Sequence, residues 1–162
     1  MPLAAGGDAP TFTLPDADGR ARTLADLAVG GATLLAFFKT SCPTCRLAMP
    51  VISELERRYG AAVPVVGITQ TSMATTLPWL DDAGFAGPVL DDEQGRYAVS
   101  RAYDVQTVPT LVLVDGGRVA ATLEGWDRDR MNDLARDLGV RTGGDTTPVS
   151  TEADGLPVFK PG

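Results

Sequence analysis

A seven-residue run without a charged side chain, Ala32-Thr33-Leu34-Leu35-Ala36-Phe37-Phe38, ends at Lys39, and three positions later the chain reads Cys42-Pro43-Thr44-Cys45. A continuous apolar run of this length, bounded by Gly30-Gly31 and a polar turn, suits a strand covered on both faces. The residues that follow suit a helix. Ser41 is a reasonable N-cap, Pro43 falls where a first-turn proline is tolerated, and Leu47, Val51, Leu55 and Tyr59 recur at intervals of four. Gly60 should end the helix and Pro50 should kink it. A buried strand therefore runs into a helix, and both cysteines of the chain stand at that junction.

The rest of the pattern alternates. Thr11–Leu14 and Arg20–Thr23 flank the turn residues 15–19 and read as a hairpin, and Leu24–Leu27 reads as one helical turn. Val63–Ile68 is a second buried-type strand. Met73–Ala83 is a helix carrying Pro78, Pro88–Leu90 a brief strand, and Gly95–Tyr103 a helix. Thr110–Val114 is a third strong strand, turned by Asp115-Gly116-Gly117 into a return over Arg118–Leu123. Asp127–Leu138 closes the pattern as a helix with Gly139 at its C-cap. Strands separated by helices imply parallel pairing, with the last hairpin adding an antiparallel edge. The expected fold is α/β: a mixed central sheet with helices on both faces, behind an N-terminal hairpin. The chain has 162 residues, which suits one domain. Residues 1–140 are expected to form it. Residues 141–162, polar and rich in Gly and Pro, are expected to be a mobile or loosely docked tail, although Leu156–Phe159 is apolar enough to dock on the domain or on a second copy.

Composition narrows the chemistry. There is no histidine, so serine–histidine triads, zinc proteases and histidine-ligated haem are excluded. Fourteen basic against 21 acidic residues give a net charge of −7, with no Lys/Arg run, which argues against nucleic acid as a partner. Met1–Gly7 lacks a basic start and an apolar stretch, and no run approaches the ~20 residues of a membrane span. A soluble protein of a reducing cytoplasm is expected, with an extracytoplasmic home open to a trimmed chain.

What remains is the cysteine pair. Thiols at i and i+3 on a first helical turn can approach disulfide distance. The helix N-terminus offers free N–H groups and partial positive charge, favouring a thiolate at Cys42. Cys42 is expected to be exposed and Cys45, one turn in, to be shielded. Cys42 would then attack a partner disulfide, and Cys45 would attack Cys42 and release the reduced partner. Pro43 and Thr44 would tune the redox potential and touch the partner. Two bland readings stay open: half of a zinc site, which lacks further Cys or His to complete it, and two idle core cysteines.

Phe37 to Arg46, with Pro50 and the late Val108-Pro109-Thr110, resembles the thioredoxin superfamily. Gly7–Leu14, Pro88–Asp91 and Ala102–Thr110 are more particularly similar to TlpA/ResA-type thiol–disulfide oxidoreductases of the redoxin (AhpC/TSA-like) form, over roughly residues 6–138. The resemblance implies a thioredoxin-like fold with an extra helix and strand between Ile68 and Pro109. It implies a cis Pro109 against the cysteine pair, with the Val108 backbone offered to an extended partner segment. The redox-active Cys42–Cys45 disulfide would be the only prosthetic element, and the partners would be protein disulfides or dithiols and an upstream thiol reductant. Three positions depart from the pattern. Ala36 replaces the buried Asp of thioredoxins, Ala48 replaces the Glu of the ResA branch, and Ser41 replaces a tryptophan. Lys39 stands where peroxiredoxins carry Thr or Ser, which argues against a dedicated peroxidase. It could aid the Cys42 thiolate, although a solvated charge is the plainer reading. A peroxiredoxin-like peroxidase and a metal- or partner-binding module without turnover are the alternatives.

Overall fold

The computed structural model describes residues 3–162, so Met1 and Pro2 of the leader reading lie outside the described residues. Strands β1 (Thr13–Pro15) and β2 (Ala21–Thr23) pair antiparallel as the expected hairpin. Helix α1 (Leu24–Leu27) follows, held by reciprocal bonds between Thr23 and Asp26. Strand β3 (Ala32–Phe38) is buried at all seven positions, so both of its faces are covered. It is the middle strand of a five-stranded sheet, with helix α2 (Pro43–Tyr59), β4 (Val65–Thr69), α3 (Met73–Asp82), β5 (Val89–Asp91), α4 (Ala98–Ala102), β6 (Thr110–Asp115) and β7 (Arg118–Glu124) built around it in the order β5-β4-β3-β6-β7.

Helix-linked strands were expected to pair in parallel. β3–β4 and β4–β5 do, but β6 pairs antiparallel with β3. The link between β5 and β6, residues 92–109, leaves and re-enters the sheet at the same end. β6 starts where β3 finishes, with Thr110 opposite Phe37, and the residues just before β6 are delivered to the end of β3 from which the cysteines follow.

Two helices differ in extent from the sequence expectation. Residues 95–97 are not helical, because Arg96 and Tyr97 adopt left-handed backbone at φ 53° and 63°. The buried Asp92 carboxylate then accepts from the N–H groups of Val99 and Ser100 and from the Ser100 hydroxyl, fixing the start of α4. The last helix, α5 (Arg128–Thr142), runs through Gly139 and ends at Gly143, φ 67°. Gly139 is not a cap. A Cβ there would lie 2.2 Å from the Asp145 carbonyl oxygen, so glycine permits the chain to fold back onto α5.

The segment 141–162, expected as a mobile or loosely docked tail, begins inside α5 and then returns along it. The Asn132 side chain donates to Ser150 O at 2.8 Å and accepts from the N–H groups of Val149 and Ser150. Arg128, buried at the start of α5, donates to the Ser150 hydroxyl and the Leu156 carbonyl. Beyond it, β9 (Phe159–Lys160) pairs antiparallel with β8 (Trp126–Asp127), a pairing that no periodicity announced. Both margins of the large sheet are also attended by the chain. Residues 6–9 bond to β7 through Gly6 N–H to Val119 O (2.7 Å) and Val119 N–H to Gly7 O (2.9 Å), and Asp16 bridges to Leu90 of β5.

Candidate active site

The sharp exit from β3 puts Cys42 at the N-cap of α2, one residue beyond the expected Ser41. Its backbone is extended (φ −88°, ψ 119°), and its Sγ accepts the Cys45 N–H at 3.1 Å. The sulfur thus satisfies one of the unpaired donors of a helix start, a place usually filled by a hydroxyl or carboxylate oxygen. Pro43, which has no N–H to leave unpaired, follows as the first helical residue. Both cysteines are free thiols.

The Val108–Pro109 bond is cis, and the antiparallel entry of β6 brings it to the cysteines. The Cys42 thiol donates to the Val108 carbonyl at 3.3 Å, and the Pro109 carbonyl accepts from Gly125 N–H at 2.8 Å. Cys45 is fully buried, and that burial pushes its thiol well above the ordinary range, with the hydrogen bond to Cys42 adding to the shift. The Lys39 backbone N–H and ammonium act in the opposite sense and are outweighed. Ala36 and Ala48 are buried beside this core as plain methyl groups.

One expectation is corrected. Cys42 is only 5% exposed, not an open thiol. It sits at the bottom of a groove of about 360 Å³ whose walls include Lys39, Ser41, Pro43, Gln70 and residues 105–108. Lys39, Ser41 and Pro43 are exposed on the rim, and Thr44 is buried. Gly162 also lines the groove. The Thr44 hydroxyl donates to Pro161 O at 2.7 Å, so the far end of the chain reaches the site. Sequence reasoning missed Gln70, whose side-chain amide donates to the Ser100 hydroxyl at 3.0 Å, and missed Pro161–Gly162. The docking potential of Leu156–Phe159 was the one signal that pointed there.

Among the described residues, no cluster of three or more Cys, Asp or Glu side chains is arranged to hold a metal, and no helix is long and apolar enough to cross a membrane. The acidic run Asp91-Asp92-Glu93 serves as a turn and cap, with Asp91 accepting from the N–H groups of Glu93 and Gln94. The tryptophans serve packing: Trp79 stacks on Phe38 at 5.5 Å, and Trp126 is fully buried.

The sequence model of the AhpC/TSA family matches residues 5–122. This chain belongs to that family. Thioredoxin-like protein YneN of Bacillus subtilis is 31% identical over 68% of this chain and 65% of its own length. Thiol-disulfide oxidoreductase ResA of the same organism is 28% identical over 76% of this chain and 69% of its own. The chain thus spans about two thirds of the length of these curated relatives. The fold is that of a Chlorobium tepidum protein described as thiol:disulfide interchange protein DsbE, with a TM-score of 0.74, 25% identity, and coverage of 86% of this chain and 98% of that one. The AhpC/TSA match spans the cysteine pair and the Val108–Pro109 turn alike, so the juxtaposition described above lies wholly within the family domain.

Proposed function

We propose that this AhpC/TSA-family chain is a thiol–disulfide oxidoreductase that reduces partner disulfides through Cys42 and Cys45. The observation that carries the reading is the Cys42 sulfur. It is held at a helix N-terminus by the Cys45 N–H and donates to the backbone carbonyl of Val108.

In the reductive cycle the Cys42 thiolate attacks one sulfur of a partner disulfide. A Cys42–partner bond forms, and the other partner sulfur leaves as thiolate. Cys45 then gives up its proton and attacks Cys42 Sγ. The Cys42–Cys45 disulfide forms and the second partner thiolate leaves, so the partner has gained two electrons. An upstream dithiol restores the pair by the same exchange. Val108 and Pro109 position the partner segment, and Pro43 and Thr44 line its path. With alanine at both Ala36 and Ala48, the Cys45 proton goes to water or to a more distant carboxylate, which makes resolution the slower step. Reduction in this direction calls for a thiol-reducing compartment. The peroxidase alternative is not favoured, because the position of its peroxide-binding hydroxyl is Lys39.

The test is a glutathione redox titration with alkylation and mass readout, run beside Cys45→Ser. A reversible two-thiol transition confined to Cys42 and Cys45, and stable mixed disulfides on Cys45→Ser, are the expected results. Thiols inert at every poise, with no adduct on the variant, refute the proposal.

A further inference from the structure

One wall of the groove beside Cys42 is the far end of the chain, which lies against the Val108 backbone. Pro161 O accepts the Thr44 hydroxyl at 2.7 Å. Gly162 lies so close to the turn before Pro109 that a Cβ on it would stand 2.3 Å from Thr107 Oγ1 and 2.4 Å from Val108 O. That Val108 carbonyl is the one that receives the Cys42 thiol. On the other side, a Cβ on Gly125 would stand 2.9 Å from Lys160 O and 3.0 Å from Gly162 N. Residues 160–162 therefore pass between Gly125, Val108 and Thr44, and no side chain fits at the position of Gly162.

We propose that residues 156–162 are an intramolecular occupant of this groove and that a disulfide-bearing partner segment binds by displacing them. The inference rests on the thiol–disulfide reading of the same site. An extended partner that adds to the Val108 backbone needs the volume that Lys160–Gly162 fills, and Cys42 is nearly buried while they are there. The arm is also lightly held. The tail upstream is fixed by Arg128 and Asn132. Beyond Leu156 it has a two-residue strand pairing, the Arg128 N–H to Val158 O bond, the buried Trp126 indole N–H to Pro157 O at 2.6 Å, and the Thr44 hydroxyl to Pro161 O. Val158 and Phe159 remain 57% and 60% exposed, so little apolar burial opposes release. The anchored stretch is the hinge and 156–162 is the arm. Such an arm competes with peptide disulfides, which must pair along the groove, more than with small disulfides, which need only reach the sulfur. Partners that succeed are flexible segments able to lie flat against Val108.

The experiment uses the full chain and two variants. Gly162→Val cannot seat its side chain, and Trp126→Phe deletes the bond to Pro157. Hydrogen exchange over 157–162 reads release. Stopped-flow rates with a disulfide-bonded peptide and with a small aromatic disulfide read access. Both variants should lose protection in the arm and react at least ~3-fold faster with the peptide, with a smaller gain for the small disulfide, as the open fraction rises. A synthetic heptapeptide of sequence Leu156–Gly162, added in trans to Gly162→Val, should slow it again. Retained protection in both variants, or release with no gain in peptide rate, overturns the inference. If no form exchanges with either disulfide while the arm is shown to be released, the oxidoreductase reading itself fails.

Discussion

Cys42 is the proposed nucleophile and also the N-cap of α2, and substitution can separate the two. As nucleophile it needs a sulfur; as N-cap it needs only an acceptor for the Cys45 N–H. Cys42→Ser should abolish exchange with disulfides yet keep the cap. Cys42→Ala should abolish exchange and also lower stability by about 1 kcal/mol, as urea denaturation of the two variants side by side would show. Cys45 makes a pH prediction. Burial raises its thiol in the native state, while in the unfolded chain it titrates near ~8.5. Above that value the native state keeps a proton that the unfolded state has lost. Stability of the reduced protein is thus full below about pH 8.5 and falls by up to about 1.4 kcal/mol per unit as pH rises. Denaturation between pH 8 and 10 should show this slope, and Cys45→Ser should lack it. The same burial predicts a resolving step that quickens with pH throughout this window, measurable by rapid-quench release of a mixed disulfide.

At the scale of elements, strong periodicity was readable and short geometry was not. β3 lies where its apolar run placed it, and α2 ends at Tyr59 as its four-residue spacing and Gly60 indicate. The cysteine pair at the strand–helix junction was legible because it is local in sequence. Antiparallel β6 was not, because a short helix between two strands does not say at which end of the sheet the chain re-enters. The docking of 156–162 was not, because a two-residue strand carries no period. Gly139 was misread for a related reason: its contact is with Asp145 in the returning chain, not with its own helix. This reverses a common expectation. Glycine to alanine inside a helix normally gains up to ~1 kcal/mol, but here a Cβ meets backbone oxygen at 2.2 Å. Gly139→Ala should therefore cost about 1–2 kcal/mol net, and faster hydrogen exchange over 143–147 would mark the displaced chain. Asp92→Ala leaves three buried donors at the start of α4 unpaired and should cost about 3 kcal/mol by urea denaturation, with an unchanged m-value.

Across the whole molecule, stability should be graded. β3, β4 and β6 form the buried centre of the sheet, whereas β8–β9 is two residues long and lies at its periphery. Native-state hydrogen exchange should place β3 and β4 amides at the global opening free energy and β9 amides several kcal/mol below it. Equal protection in β9 and β3 would contradict this grading. The covered margins of the large sheet have a consequence of another kind. The bonds from residues 6–9 to β7, and the Asp16 bridge to β5, deny strangers the two rows of backbone groups at which a sheet could otherwise grow. Those early residues are far from the cysteines in function, yet they guard the molecule's colloidal behaviour. Cutting the chain ahead of Thr11 should leave thiol chemistry in the monomer intact and show its damage instead as concentration-dependent turbidity and growing light scattering.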